Sequence, residues 1–274
     1  MLHEDNPDIS SEDPRALEDA ACEAARLGGM VLARRFRSAD GLRVEQKGLH
    51  DFVTEVDRET ERVVTSYLRA RFPGHAILAE ETFAEAHVPE YRWVVDPLDG
   101  TTNFIHGVAT FAVSVAVEDR SGPVAGAVHD PLHEETFHAR RGGGARRNGE
   151  PIACSRPSTL DDALLATGFP FREMRRVDGY MKSLEAFVRG TSGLRRAGAA
   201  ALDLAYVACG RYDGFWEVGL SRWDIAAGVL LVQEAGGAVS DVAGGRSYLD
   251  SGDLVASGRS IHEAMLDITR RYLA

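Results

Sequence analysis

Over residues 15–36 the apolar positions Leu17, Ala21, Ala24, Val31 and Leu32 recur at helical spacing, which predicts a first helix; the Gly28-Gly29 pair weakens the pattern without ending it. A second helical pattern covers 57–72, with Val63, Val64, Tyr67 and Leu68 inward and Pro73-Gly74 as its stop, so Asp57 falls in its first turn. Residues 75–79 and 92–95 read as short strands. The first delivers Glu80 and Glu81 at its end, and the second delivers Asp96. Downstream, FAVSVAVED, GPVAGAVHD and ETFHARR are apolar or alternating runs separated by turn residues, the pattern of an antiparallel meander that RRGGGARRNGEPI closes. Beyond Ser155 the texture changes: helical candidates at 159–165, 178–189 and 199–209 alternate with short strands such as GFWEV and AVSDV.

This pattern predicts an α+β chain with a flexible N-terminus at 1–14, an N-terminal antiparallel-sheet lobe at 15–153 and a C-terminal mixed α/β lobe at 154–274. With 274 residues, 44% of them hydrophobic, the chain can fill a proper core. The formal net charge of -11 repels nucleic acid and anionic membrane unless a basic patch or bound cations intervene. Cys22, Cys154 and Cys209 are widely spaced, so neither a zinc site nor a disulfide framework is indicated. The first fourteen residues hold five acidic side chains and two prolines without an apolar run, and nothing later reaches bilayer-spanning length. The expectation is a cytoplasmic protein without membrane or direct nucleic-acid contacts.

The stretch WVVDPLDGTTNFIHG at 93–107 changes the picture, because a hydrophobic run is broken by two carboxylates three positions apart. As isolated residues, Asp96, Pro97, Asp99 and Gly100 are turn formers, Asp57 and Asp224 are helix caps, and Glu80-Glu81 is a solvated pair. Taken together, they place acids at the ends of four separate elements. Oxygen donors of this kind suit hard cations such as Mg²⁺, and clustered carboxylates without cations repel one another strongly. Gly100 allows close backbone approach, and Thr101 and Thr102 offer hydroxyls at a short helical turn whose free amides suit phosphate oxygens. The nine histidines are scattered, with His106 and His129 in turn-like contexts, and no Ser-His-Asp or Cys-His arrangement competes.

DFVTEVD, LAEET, WVVDPLDGTTNF and WDIAAGVLLVQEAGG resemble, in order and spacing, the signature segments of the inositol monophosphatase family of Mg²⁺-dependent, lithium-sensitive phosphatases. The resemblance covers nearly the whole chain after the first dozen residues. It implies a layered α-β-α-β-α sandwich, commonly a homodimer. It further implies that Glu80, Asp96 and the Leu98 carbonyl hold a first Mg²⁺, that Asp96, Asp99 and Asp224 hold a second, and that Glu80 with solvent holds a looser third. Asp57 and Thr101 would position the attacking water, Glu81 would support the metal shell, and Asn103 and Lys47 are similar to supporting positions. Hydrolysis would be in line, with no phosphoenzyme.

Glu217 resembles the family position that receives substrate hydroxyls, which points to a small phosphorylated polyol. Ala199 stands where many relatives carry serine or threonine, which removes a possible substrate hydrogen bond. Inositol 1-phosphate is the expected substrate. Histidinol phosphate, fructose 1,6-bisphosphate and nucleotide 3′-phosphates are alternatives on the same metal core, and a cation-binding protein-interaction scaffold is the non-enzyme alternative. A haloacid-dehalogenase-like mechanism ranks lower, since it needs its two aspartates two residues apart. Arg195 and Arg196 could face substrate, a partner or solvent, and GFPF at 168–171 either shapes the entrance or turns the chain at Pro170.

Overall fold

The structure, a computed structural model, describes residues 13–36, 44–48, 51–82 and 90–274. The Asp13 carboxylate accepts the Arg15 amide at 2.9 Å, and Pro14, with no amide to lose, starts α1 (Pro14–Phe36). An antiparallel pair, β1 (Val44–Gly48) and β2 (Asp51–Thr54), leads into α2 (Glu55–Arg71). There follow β3 (Ala76–Ala79), β4 (Arg92–Asp99), α3 (Thr101–Ile105), β5 (Ala112–Asp119), β6 (Gly122–Asp130), β7 (Glu135–Arg140), β8 (Ala145–Arg147) and β9 (Glu150–Pro151). These strands, β3 to β9, form one seven-stranded sheet in chain order.

After β10 (Leu164–Thr167), a 3₁₀ turn runs into α4 (Val177–Gly190), followed by β11 (Gly193–Arg195), α5 (Ala200–Ala208) and β12 (Gly214–Glu217). The chain ends with α6 (Arg222–Glu234), β13 (Ala238–Ser240), α7 (Tyr248–Ser251), β14 (Leu254–Ser257) and α8 (His262–Tyr272). The second sheet has five strands in the order β11-β10-β12-β14-β13. In cross-section α1 and α2 cover one face of the large sheet, α5 and α6 lie between the sheets, and α4 and α8 cover the outer face of the small sheet. That is the α-β-α-β-α sandwich.

The layers explain the sequence patterns. α6 is buried from Asp224 to Val232 because it has a sheet on both sides, so it lacks a polar face. Its small residues let it come close: a methyl group at Gly126 of β6 would lie 3.2 Å from Ala227. Gly28 serves the same end on α1, where an added Cβ would meet Val64 of α2 at 3.0 Å. The middle core draws Ala112 and Ala116 from the large sheet and Ala166, Phe215 and Leu254 from the small one, so both sheets share it through α5 and α6.

Four expectations need correction. Residues 159–165 are not a helix; 164–167 form β10, paired in parallel with both β11 and β12. The strand expected to stop at Val95 continues to Asp99. The first sheet is not wholly antiparallel, since β3 and β4 run parallel. His129 lies in β6 rather than in a turn, with its Nδ1 3.0 Å from Thr136 Oγ1. The expected flexible segment falls outside the described residues apart from Asp13 and Pro14. Lys47 lies on β1, but its side chain is likewise outside them. Among the described residues no helix is long and apolar enough to cross a membrane.

Candidate active site

Asp96 and Asp99 are three residues apart, and in a regular strand an odd spacing sends side chains to opposite faces. Here the pairing with β5 slips: Asp96 faces Ser114 and Asp99 faces Ala112, so four residues of β4 oppose three of β5. The extra residue is a β-bulge, and it brings both carboxylates to one cleft at the strand end. The cleft, about 430 Å³, is lined by the acids Glu80, Asp96, Asp99, Glu217 and Asp224, by Leu98 and Thr101, and by Phe169, Phe171, Arg172 and Arg196. Gly100, with φ +94°, turns the chain sharply into α3. A side chain there would also strike the Thr110 carbonyl at 2.9 Å.

Asp57 and Asp224 occupy matching positions. Each is the third residue of its helix and accepts the amide of the residue before the helix: Thr54 N–H to Asp57 Oδ2 at 2.8 Å, and Ser221 N–H to Asp224 Oδ2 at 2.7 Å. Both are therefore caps as well as candidate site acids. The Thr101 hydroxyl lies 3.1 Å from Asp57 Oδ1 and 3.0 Å from the Leu98 carbonyl oxygen, and its single proton serves one at a time. Asp57 lines no part of the cleft wall itself and reaches it through Thr101.

The electrostatics of the cleft are unfavourable as they stand. Burial, then Glu80, Asp99 and Asp224, push the Asp96 carboxyl well above its ordinary range, although the Leu98 amide at 2.9 Å opposes this. Burial and Asp224 push Asp99 up to about 7 against the amides of Ala201 and Ala200. Burial, then Asp224, pushes Glu217 to about 8. Asp57 is raised mainly by burial, partly offset by Thr54 and Thr101. Among the described residues no three His, Cys, Asp or Glu side chains are drawn close enough to hold an ion unaided. The donor set nevertheless fits a hard divalent cation: it is all oxygen, largely buried, and the neighbouring acids raise the proton affinity of Asp96 and Asp99, the condition a multivalent cation relieves.

Other residues fall around this centre. Asp99 Oδ2 accepts the Ala201 amide at 2.7 Å, so it caps α5 from another element, where the helix's own N-cap, Ala199, has no side-chain acceptor. Asn103 Nδ2 donates to the Thr110 and Ala197 carbonyls at 2.8 and 2.9 Å, which ties α3 to the chain entering α5. Glu81 is outside the cleft lining; its amide donates to Glu61 Oε2 at 2.7 Å. Sequence reasoning passed over Glu61, Arg172 and Asp203, and met Gly168 only as part of GFPF, of which Gly168, Phe169 and Phe171 do line the cleft. Arg172 Nη1 reaches Asp224 Oδ2 at 3.4 Å, and Asp203, 1% exposed on α5, has an Oδ1 without a hydrogen-bond partner. Glu61 had a local signal, as an acid on the inward stripe of a helix, and so had Asp203, an acid inside the apolar run of α5.

A layered sandwich whose cleft gathers buried oxygen donors defines the class of protein to be sought among known families. Residues 13–274 match the family model described as "Inositol monophosphatase family", and the chain belongs to that family. It is 48% identical over 258 residues to "Nus factor SuhB" of Pseudomonas aeruginosa, covering 92% of this chain and 95% of that one. It is 43% identical over 260 residues to "Inositol-1-monophosphatase" of Mesorhizobium japonicum, covering 94% and 98%. Among solved structures it is similar to the extragenic suppressor protein suhB of Bartonella henselae, with TM-score 0.89, 39% identity and coverage of 93% and 99%.

Proposed function

We propose that the chain is a Mg²⁺-dependent phosphomonoester hydrolase that releases phosphate from a small phosphorylated polyol, with inositol 1-phosphate as the expected substrate. The observation that carries this reading is the gathering of Glu80 after β3, Asp96 and Asp99 on β4, and Asp224 on α6 along one cleft, where burial and neighbouring carboxylates raise Asp96 and Asp99. These carboxylates and the Leu98 carbonyl would hold Mg²⁺, two to three ions per subunit, which would supply charge neutralisation for phosphate and an acidified water. Asp57 accepts the Thr101 hydroxyl, which also reaches the Leu98 carbonyl, and that hydroxyl would orient the attacking water with Asp57 drawing off its proton. The turn at Gly100 and Thr101 leaves room for phosphate oxygens, and Glu217 faces the leaving group and accepts its hydroxyls. The family name and the relative named inositol-1-monophosphatase support this substrate class.

The test is phosphate release from inositol 1-phosphate, histidinol phosphate, fructose 1,6-bisphosphate and adenosine 3′,5′-bisphosphate, with Mg²⁺, with EDTA, and with Mg²⁺ plus lithium. Inositol 1-phosphate should be the best substrate, EDTA should abolish turnover, and lithium should inhibit it. Equal release with and without chelator would end the reading. A homodimer in the cytoplasm is the expected setting.

A second reading is that the chain also acts as a Nus factor, the name carried by its relative in Pseudomonas aeruginosa, in a role separate from hydrolysis. An Asp96→Asn chain without phosphatase activity should then still restore growth to cells lacking this protein. Failure to restore, where the wild-type chain succeeds, would remove the second reading.

A further inference from the structure

Gly168 follows β10 and packs against Glu217 at the end of the neighbouring strand β12. A Cβ built on Gly168 would lie 2.0 to 2.1 Å from the Cδ and both carboxylate oxygens of Glu217. No carboxylate can share that volume with a methyl group, so the acid occupies the space a side chain would fill. The two residues after Gly168 and Pro170 supply the other wall. Phe169 and Phe171 stand edge to face with centroids 5.8 Å apart, and the Arg196 guanidinium lies 5.1 and 5.5 Å from their ring centres. Arg196 in turn is pressed onto the backbone at Gly198, where an added Cβ would meet its Nη1 at 2.5 Å. The rings are 37% and 39% exposed and both line the cleft; Phe169 rests edge to face on the buried Tyr180, with centroids 5.9 Å apart, and the Arg196 cation packs against both rings.

We propose that Gly168 is a specificity-determining residue: its missing side chain is the seat of the Glu217 carboxylate, and the Phe169–Arg196–Phe171 stack closes that seat so the acid faces a substrate hydroxyl. This deepens, and rests on, the polyol-phosphatase reading above. Gly168 lines the cleft but has no side chain with which to recognise a substrate, so it is a positioning residue acting through Glu217. The atoms an added methyl would displace belong to the far end of a flexible side chain, so a Gly168→Ala chain folds and turns the carboxylate away. The loss should fall on substrates whose leaving group carries hydroxyls and spare those without them.

The experiment compares kcat/KM for inositol 1-phosphate with that for 4-nitrophenyl phosphate, which has no leaving-group hydroxyl, in the Mg²⁺-loaded protein. Gly168→Ala should lower the ratio about tenfold, through KM, as expected when a hydrogen-bond acceptor leaves its donor. Glu217→Ala should lower it equally, and because it empties the seat, adding Gly168→Ala to it should cost nothing more. An unchanged ratio in Gly168→Ala, or losses that multiply in the double variant, would overturn the inference while leaving the phosphatase reading intact. If the wild type hydrolyses neither ester with Mg²⁺, the phosphatase reading fails and takes this inference with it.

Discussion

Glu18 and Asp96 are both carboxylates buried beside the large sheet, and their surroundings are opposite. Glu18 on α1 meets two donors on β7: its Oε1 lies 2.7 Å from His138 Nδ1 and its Oε2 2.5 Å from Arg140 Nη1. Burial alone would raise its proton affinity, but those hydrogen bonds outweigh burial and hold it below the ordinary range. Asp96 is surrounded by Glu80, Asp99 and Asp224, so burial and neighbours raise it together. The first acid has its counterion in the fold; the second needs one from outside. Buried charge therefore marks structure where the chain supplies the compensation and marks chemistry where it does not.

Four experiments bear on that contrast. The largest effect is expected at Asp96: Asp96→Asn should lower Mg²⁺-dependent phosphate release by about a thousandfold, read in a steady-state assay, while the fold is retained. Near-normal turnover would mean that the cleft acids are not the centre. Glu18→Ala should do the reverse, leaving turnover per folded molecule intact and costing about 3 kcal/mol in urea unfolding, because Arg140 and His138 lose their buried partner.

Metal and pH should act on one region only. Asp99 is raised from 3.8 to about 7, so the folded protein binds more protons than the unfolded chain within that window, and metal-free stability should fall as pH climbs through it. Saturating Mg²⁺ at about a hundred times its Kd should restore about 2.7 kcal/mol at pH 8, seen as a rise in Tm. The gain should shrink at pH 5, where protonation already relieves the repulsion. A Glu18→Ala chain should show the same Mg²⁺ response as the wild type.

The smallest effect is expected at Asp203. Its carboxyl is raised well above the ordinary range, first by burial and then by Glu217 and Asp99. An amide imitates the neutral form, so Asp203→Asn should stabilise the protein by less than about 1 kcal/mol at neutral pH, measured by urea unfolding. A loss of several kcal/mol would mean that Asp203 belongs with Glu18 among the compensated acids.

Much of this was legible along the chain because the informative signals were local. The stripes of α1 and α2, the stop at Pro73-Gly74 and the acids at element ends each depend on neighbours a few residues away. The failures have long-range causes. Residues 159–165 carry a helix-like start, with Thr159 Oγ1 donating to Asp162 Oδ2, yet parallel partners on both sides and the Asp213 carboxylate on the Leu164 amide make β10 a strand. The bulge in β4 is imposed by the register of β5. Gly168 looks like any loop glycine until Glu217, on a different strand, is found against it.

A strand carrying two aspartates separated by a single residue would turn both carboxylates to one side without irregularity. The additional residue in β4 must therefore bring something else, and what it frees is the main-chain oxygen of Leu98, outside the paired register and touched by the Thr101 hydroxyl. An oxygen of the polypeptide itself survives every amino-acid replacement at its own position. One oxygen at the cleft is thereby independent of the side chain at its own position, and it depends instead on the bulge and on the turn at Gly100.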